Sequence, residues 1–197
     1  MRTLPAATAS LIAVIALGAC SADQPAITPP TAAPSAAAPA GVDAFLAAHG
    51  LEGKSVTEIV DALDATNDDR EAGPFGSVRS GELILADDTS EISLPIEDAF
   101  YLSIAPYVGQ THECYNHSLS GCQGELVDAD LDVTIVGDDG TQIYAGDATT
   151  GPNGFVGFWL PRDIDATVTI TADGRSATTR VGTGADDPTC LTTMRLG

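Results

Sequence analysis

Five short runs decide the fold: ELVDADLDVTIVG (125–137), TQIYAGDATT (141–150), GFVGFWLP (154–161), ATVTITA (166–172) and RSATTRVGT (175–183). In the first, Val133 and Ile135 alternate with Asp132, Thr134 and Val136; in the fourth, Val168 and Ile170 alternate with threonines. A period of two sends alternate side chains to opposite faces of an extended chain, so these runs read as half-buried strands. Turn signals separate them: Asp138-Asp139-Gly140, Gly151-Pro152-Asn153-Gly154 and Asp173-Gly174. Short β-branched strands at near-regular spacing predict a β-rich antiparallel, sandwich-like unit, assigned to residues 109–197.

The order of these strands and turns resembles transthyretin-like and carboxypeptidase-regulatory-like sandwiches, which are usually non-catalytic modules. Upstream, residues 41–108 predict an α+β N-terminal unit of two helices and two or three short strands. Val42, Phe45, Leu46 and Ala48 have helical spacing, Gly50 suits the helix C-cap, and His49 suits its C-terminal turn. Ser55-x-x-Glu58 is a capping-box pattern opening a second helix with the apolar face Val56, Ile59, Val60 and Leu63, broken at Asn67-Asp68-Asp69. Ser77–Leu85, Ile92–Leu94 and Phe100–Tyr107 read as the strands.

The N-terminus is an export signal. Arg2 precedes an apolar run, Leu11–Leu17, too short to span a bilayer. Leu17-Gly18-Ala19-Cys20 resembles a bacterial lipobox, which implies cleavage of residues 1–19 and lipidation at Cys20. Residues 20–40 then form an Ala/Pro/Ser-rich extended tether. The expected location is the extracytoplasmic side of a membrane, in the cell envelope or periplasm, where disulfides persist. The 197 residues carry 8 Lys+Arg against 28 Asp+Glu, a net charge of −20. That balance excludes non-specific nucleic-acid binding, which needs clustered cations.

The chemistry is concentrated in THECYNHSLSGCQGE (111–125). It holds His112, Cys114, His117 and Cys122, two of the three histidines and half of the four cysteines. Cys190 lies near the C-terminus with Met194 four residues on. Thiolate and imidazole suit Cu(I) and Zn(II), not the hard oxygen-seeking cations. The spacing lacks the paired C-x2-C knuckles of structural zinc sites, leaving zinc the weaker alternative to copper. Setting Cys20 aside, three cysteines allow three pairings and leave one thiol over. Cys122–Cys190 is the preferred candidate, leaving Cys114 between His112 and His117; closing so long a loop contributes about 4 kcal/mol on the chain-entropy model. Glu113 and Glu125 read as solvated or supporting residues, Met194 as core or a supplementary soft donor, and Phe158 and Trp159 as core. The chain carries no P-loop, Rossmann fingerprint or Ser-His-Asp spacing, so no catalytic residue is assigned.

The segment His112-Glu113-Cys114-Tyr115-Asn116-His117-Ser118-Leu119-Ser120-Gly121-Cys122-Gln123-Gly124-Glu125-Leu126 resembles the signature of the CueP family of exported copper-resistance proteins. Gly157-Phe158-Trp159-Leu160-Pro161-Arg162 and Cys190-Leu191-Thr192-Thr193-Met194-Arg195-Leu196 also resemble that family's pattern, over roughly residues 42–197. The resemblance implies copper binding by a Cys/His site in the β-rich unit, dimer contact through the N-terminal unit, and delivery to a client such as a copper-dependent superoxide dismutase. The lipid tether departs from a soluble periplasmic form and restricts delivery to clients near the membrane.

The leading expectation is therefore a membrane-anchored copper-binding protein. Cys114, Cys122 and Cys190 are its ligands, with His112 and His117 as further donors for Cu(I) or Cu(II), and its thiols could reduce Cu(II). A thiol–disulfide reductant is an expected partner. Two other functions compete: a metal-free thiol–disulfide module, and a structural or adhesive surface lipoprotein stapled by a disulfide.

Overall fold

The expected strands form in the computed structural model, which describes residues 40–67 and 73–197. The expected signal sequence, Cys20, the expected tether up to residue 39, and Asp68 and Asp69 lie outside the described residues. Helix α1 (Ala40–Ala48) ends with Leu51 N–H donating to the Leu46 carbonyl and Gly50 N–H to that of Ala47. Gly50 sits at φ +68°, the left-handed conformation this closure requires. Helix α2 (Val56–Asp64) opens on the predicted capping box, with Ser55 and Glu58 satisfying each other's backbone N–H groups.

Strands β1 (Phe75–Arg79), β2 (Glu82–Ala86) and β3 (Glu91–Pro95) form an antiparallel meander. The run Ser77–Leu85, expected as one strand, is therefore a hairpin. Arg79 pairs with Glu82 around Ser80-Gly81, and glycine breaks the pattern there. The remaining strands are β4 (Phe100–Ile104), β5 (His117–Ser118), β6 (Asp130–Gly137), β7 (Gln142–Thr149), β8 (Val156–Leu160), β9 (Asp165–Ala172), β10 (Arg175–Gly182) and β11 (Cys190–Leu191).

The sheet orders are β3-β2-β1-β5, β10-β9-β6-β7 and β11-β4-β8. Strand β4, expected to close the N-terminal unit, pairs instead with β8 and β11, while β5 crosses back to β1. The expected 108/109 boundary is thus crossed by strand exchange, and the described residues belong to one compact unit.

Strand β4 is buried along its whole length because it serves two cores. Phe100, Leu102 and Ile104 join Val133, Ile135, Val168, Ile170, Phe158 and Leu160 in the sandwich core. Tyr101, on the opposite face, joins Ile59 and Val60 of α2 and Val78, Leu83 and Leu85 of the meander. Phe158 is core, as expected; Trp159 packs at the edge of the second core and donates its indole N–H to Asp61 at 2.8 Å. Met194 lies in the sandwich core. Arg162 fastens the end of β8 to the meander by donating to the carbonyls of Ser80, Ile96 and Ala99.

Candidate metal centre

The odd face of β4 carries the floor of the site. Tyr101 and Ser103 point away from the sandwich core towards Asp64, the last residue of α2. Gly157, opposite Ser103 in register, has no side chain because the Tyr101 phenol lies where its Cβ would be. Gly157→Ala is expected to displace Tyr101 and cost about 1–3 kcal/mol by overpacking, read as a lower denaturant midpoint with unchanged slope.

Three further segments converge on this floor. Cys190 of β11 pairs with Ser103, so its side chain shares the Ser103 face while Leu191 enters the sandwich core with Ile104. His117 of β5 pairs with Val78, a core residue, and turns inward to complete burial. Thr189 stitches both strands to β1: its hydroxyl accepts from His117 N–H and donates to the Val78 carbonyl at 2.6 Å. A turn at Ser118 then brings Cys122 back, with Cys122 N–H bonded to the Ser118 carbonyl and Ser118 N–H directed at the Cys122 sulfur.

Asp64 is the electrostatic anchor. Its carboxylate meets His117 Nε2 at 2.8 Å and accepts from Tyr101 (2.5 Å), Asn153 (2.8 Å) and Ser103 (3.4 Å). Burial pushes its pKa up, but the His117, Tyr101 and Asn153 hydrogen bonds outweigh it and hold the carboxyl below its usual range. Burial pushes His117 down, while Asp64 and Cys122 raise it, leaving it at about 9. Burial likewise pushes Cys122 up, and the His117 ring and the Ser118 N–H more than compensate, so its thiol is more acidic than usual. Nδ1 of His117 is buried with no nitrogen or oxygen partner; what it meets is the Cys122 sulfur.

All five expected residues come together. His112, Cys114 and Cys122 form one group of donors, and His117, Cys122 and Cys190 another; within each group the donor atoms lie within 4.8 Å of one another. Cys122 belongs to both. Phe155 supplies the apolar wall, with its ring centroid 4.7 Å from that of His117 and 6.1 Å from that of His112. A cleft of about 680 Å³, lined by Tyr107, Thr111, His112, Glu113, Cys114 and Tyr115 among others, opens over the Cys114 side. The Glu125 carboxylate accepts from the N–H groups of Val108, Gly109 and Gln110, ordering the approach to His112.

A sequence model of the family described as periplasmic copper-binding protein CueP matches residues 58–195. The chain belongs to the CueP family. Among solved structures, a crystal structure of S.CueP matches with a TM-score of 0.77 at 42% sequence identity, over 82% of this chain and 100% of that chain. No curated protein sequence matches the chain. CueP proteins are periplasmic copper-binding proteins, and no helix among the described residues is long and apolar enough to cross a membrane.

Within this CueP-family site the cysteine pairing differs from the expected Cys122–Cys190. The disulfide joins Cys114 to Cys190, with Cα atoms 5.6 Å apart, and Cys122 stands outside it. The reason is local. The Ser118 turn holds the Cys122 sulfur against a backbone N–H and the His117 ring, while the Tyr115 carbonyl accepts from Cys190 N–H and sets the Cys114 segment beside β11. Cys114 is therefore not the remaining thiol between the histidines. Nor does His49 stand in the site. It bonds Asp87 at 3.0 Å, and its ring lies tilted against that of Phe45 at the end of α1, with the centroids 4.5 Å apart.

Sequence reasoning missed Asp64, Tyr101 and Asn153. Asp64 carried a signal: it follows Val60 by four residues on the apolar face of α2, and it is an acid in the last turn, where the helix dipole disfavours one.

Proposed function

We propose that this CueP-family chain captures copper through Cys114, Cys122, Cys190, His112 and His117, and that the Cys114–Cys190 disulfide gates the site. The observation carrying this reading is the pair of overlapping three-donor groups sharing Cys122, with the buried His117 Nδ1 aimed at sulfur. With the His117 ring facing the Cys122 sulfur, a soft cation bound between them would take an imidazole and a thiolate together. Thiolate-rich donors favour Cu(I), and the exposed His112 at the cleft offers a first contact for Cu(II).

Reduced, the site presents three thiols; oxidised, it presents one thiol and two imidazoles. Oxidation of Cys114 and Cys190 to their disulfide releases two electrons, enough to reduce two Cu(II) to two Cu(I). A thiol–disulfide reductant would restore the dithiol. The lipobox-like Leu17-Gly18-Ala19-Cys20 and the Ala/Pro/Ser-rich segment after it support lipid anchoring, with copper handed to clients near the membrane.

X-ray absorption of the reduced, Cu(I)-loaded protein tests the ligand set. Sulfur scatterers with an imidazole contribution are expected, with one sulfur lost in Cys122→Ser. An oxygen-dominated shell, or a shell unchanged by Cys122→Ser, contradicts it.

A further inference from the structure

The three sulfurs are close enough to trade bonds. We propose that Cys122 exchanges intramolecularly with the Cys114–Cys190 disulfide, so that the oxidised protein interconverts between a Cys114–Cys190 form and a Cys114–Cys122 form. The Cys122 sulfur lies 3.4 Å from that of Cys114 and within 4.8 Å of that of Cys190. Thiol–disulfide exchange proceeds by attack of a thiolate on one sulfur of the disulfide, with the other sulfur leaving.

Here a bond forms between the Cys122 and Cys114 sulfurs, the Cys114–Cys190 bond breaks, and the electron pair leaves on the Cys190 sulfur. One disulfide and one thiolate stand on each side, so neither oxidant nor reductant is consumed. The placement of the groups favours Cys114 as the common partner. Cys114 and Cys122 lie on irregular segments, whereas Cys190 is held in β11 by parallel pairing with β4. The His117 ring, fixed by Asp64, faces both competing sulfurs, with its nitrogen within 4.8 Å of Cys122 and Cys190 alike.

Two consequences separate this from a static staple. The thiol left over alternates between Cys122, which serves both donor groups, and Cys190, which serves only the inner one. The cleft-side group is accordingly tied off in one isomer and partly open in the other.

The test uses the oxidised, metal-free full chain, held with a chelator so that its outcome is independent of copper binding. The protein is incubated at neutral pH, quenched in acid, labelled with maleimide, digested with pepsin without reductant, and mapped by mass spectrometry. Both Cys114–Cys190 and Cys114–Cys122 peptides are expected, with label divided between Cys122 and Cys190. In Cys190→Ser, oxidation should close Cys114–Cys122. Label confined to Cys122 in the wild type overturns the exchange, and so does failure of Cys190→Ser to close that bond while remaining folded by circular dichroism.

Discussion

Asp64→Asn is expected to destabilise the fold by about 3–5 kcal/mol, because it strips a buried cation of its counter-charge. His117 is fully buried and Asp64 is only 8% exposed, so water cannot replace the lost partner. The loss should depend on pH in a definite direction. His117 is raised to about 9, so its pairing stabilises the fold fully below the ordinary imidazole pKa near 6.5 and less as pH rises through about 9. Asp64 is lowered, so its share is present above the ordinary carboxyl pKa and fades as pH falls through the lowered value. The gap between wild type and Asp64→Asn should thus be widest between about pH 4 and 6.5 and close towards alkaline pH. Denaturant melts of metal-free protein across that range check it; a gap independent of pH would mean that Asp64 acts by packing alone. Copper affinity should also fall about 10- to 100-fold, the usual consequence of losing the group that orients a ligand histidine.

The second large effect is expected at Cys122. It is the one donor common to both groups, so Cys122→Ser should weaken Cu(I) binding beyond the 10- to 100-fold of a supporting residue, in reduced and oxidised protein alike. His112→Gln should weaken it less, since His112 is exposed and belongs to one group. Competition against a Cu(I) chelator measures both. Equal losses for the two variants would place the metal on the cleft side alone.

Much of this arrangement could be read from local pattern. The period-two alternation of Val133, Ile135, Val168 and Ile170, the DG turns and the Ser55/Glu58 capping box are short-range features, and the structure reproduces them. The crowding of His112, Cys114, His117 and Cys122 also marked the centre. Long-range partners were less legible. FYLSIAPY is apolar on both faces, which says that β4 is covered twice but not by what; its neighbours, β8 and β11, come from far along the chain. The disulfide partner of Cys190 depended on the Ser118 turn and the β11 register, neither of which has a sequence period. Asp64 was obscured because a helix-terminal aspartate ordinarily faces water, and only the strand exchange through β5 gives it a buried histidine.

A copper site of three thiols and two imidazoles gated by one disulfide is checked by titrating Cu(I) into the protein under a competing chelator, once fully reduced and once oxidised, with a thiol count on each. Tight binding is expected when reduced and markedly weaker binding when oxidised, with two thiols lost to a single disulfide that includes Cys114. Equal affinity in both states, or no binding in either, would contradict it.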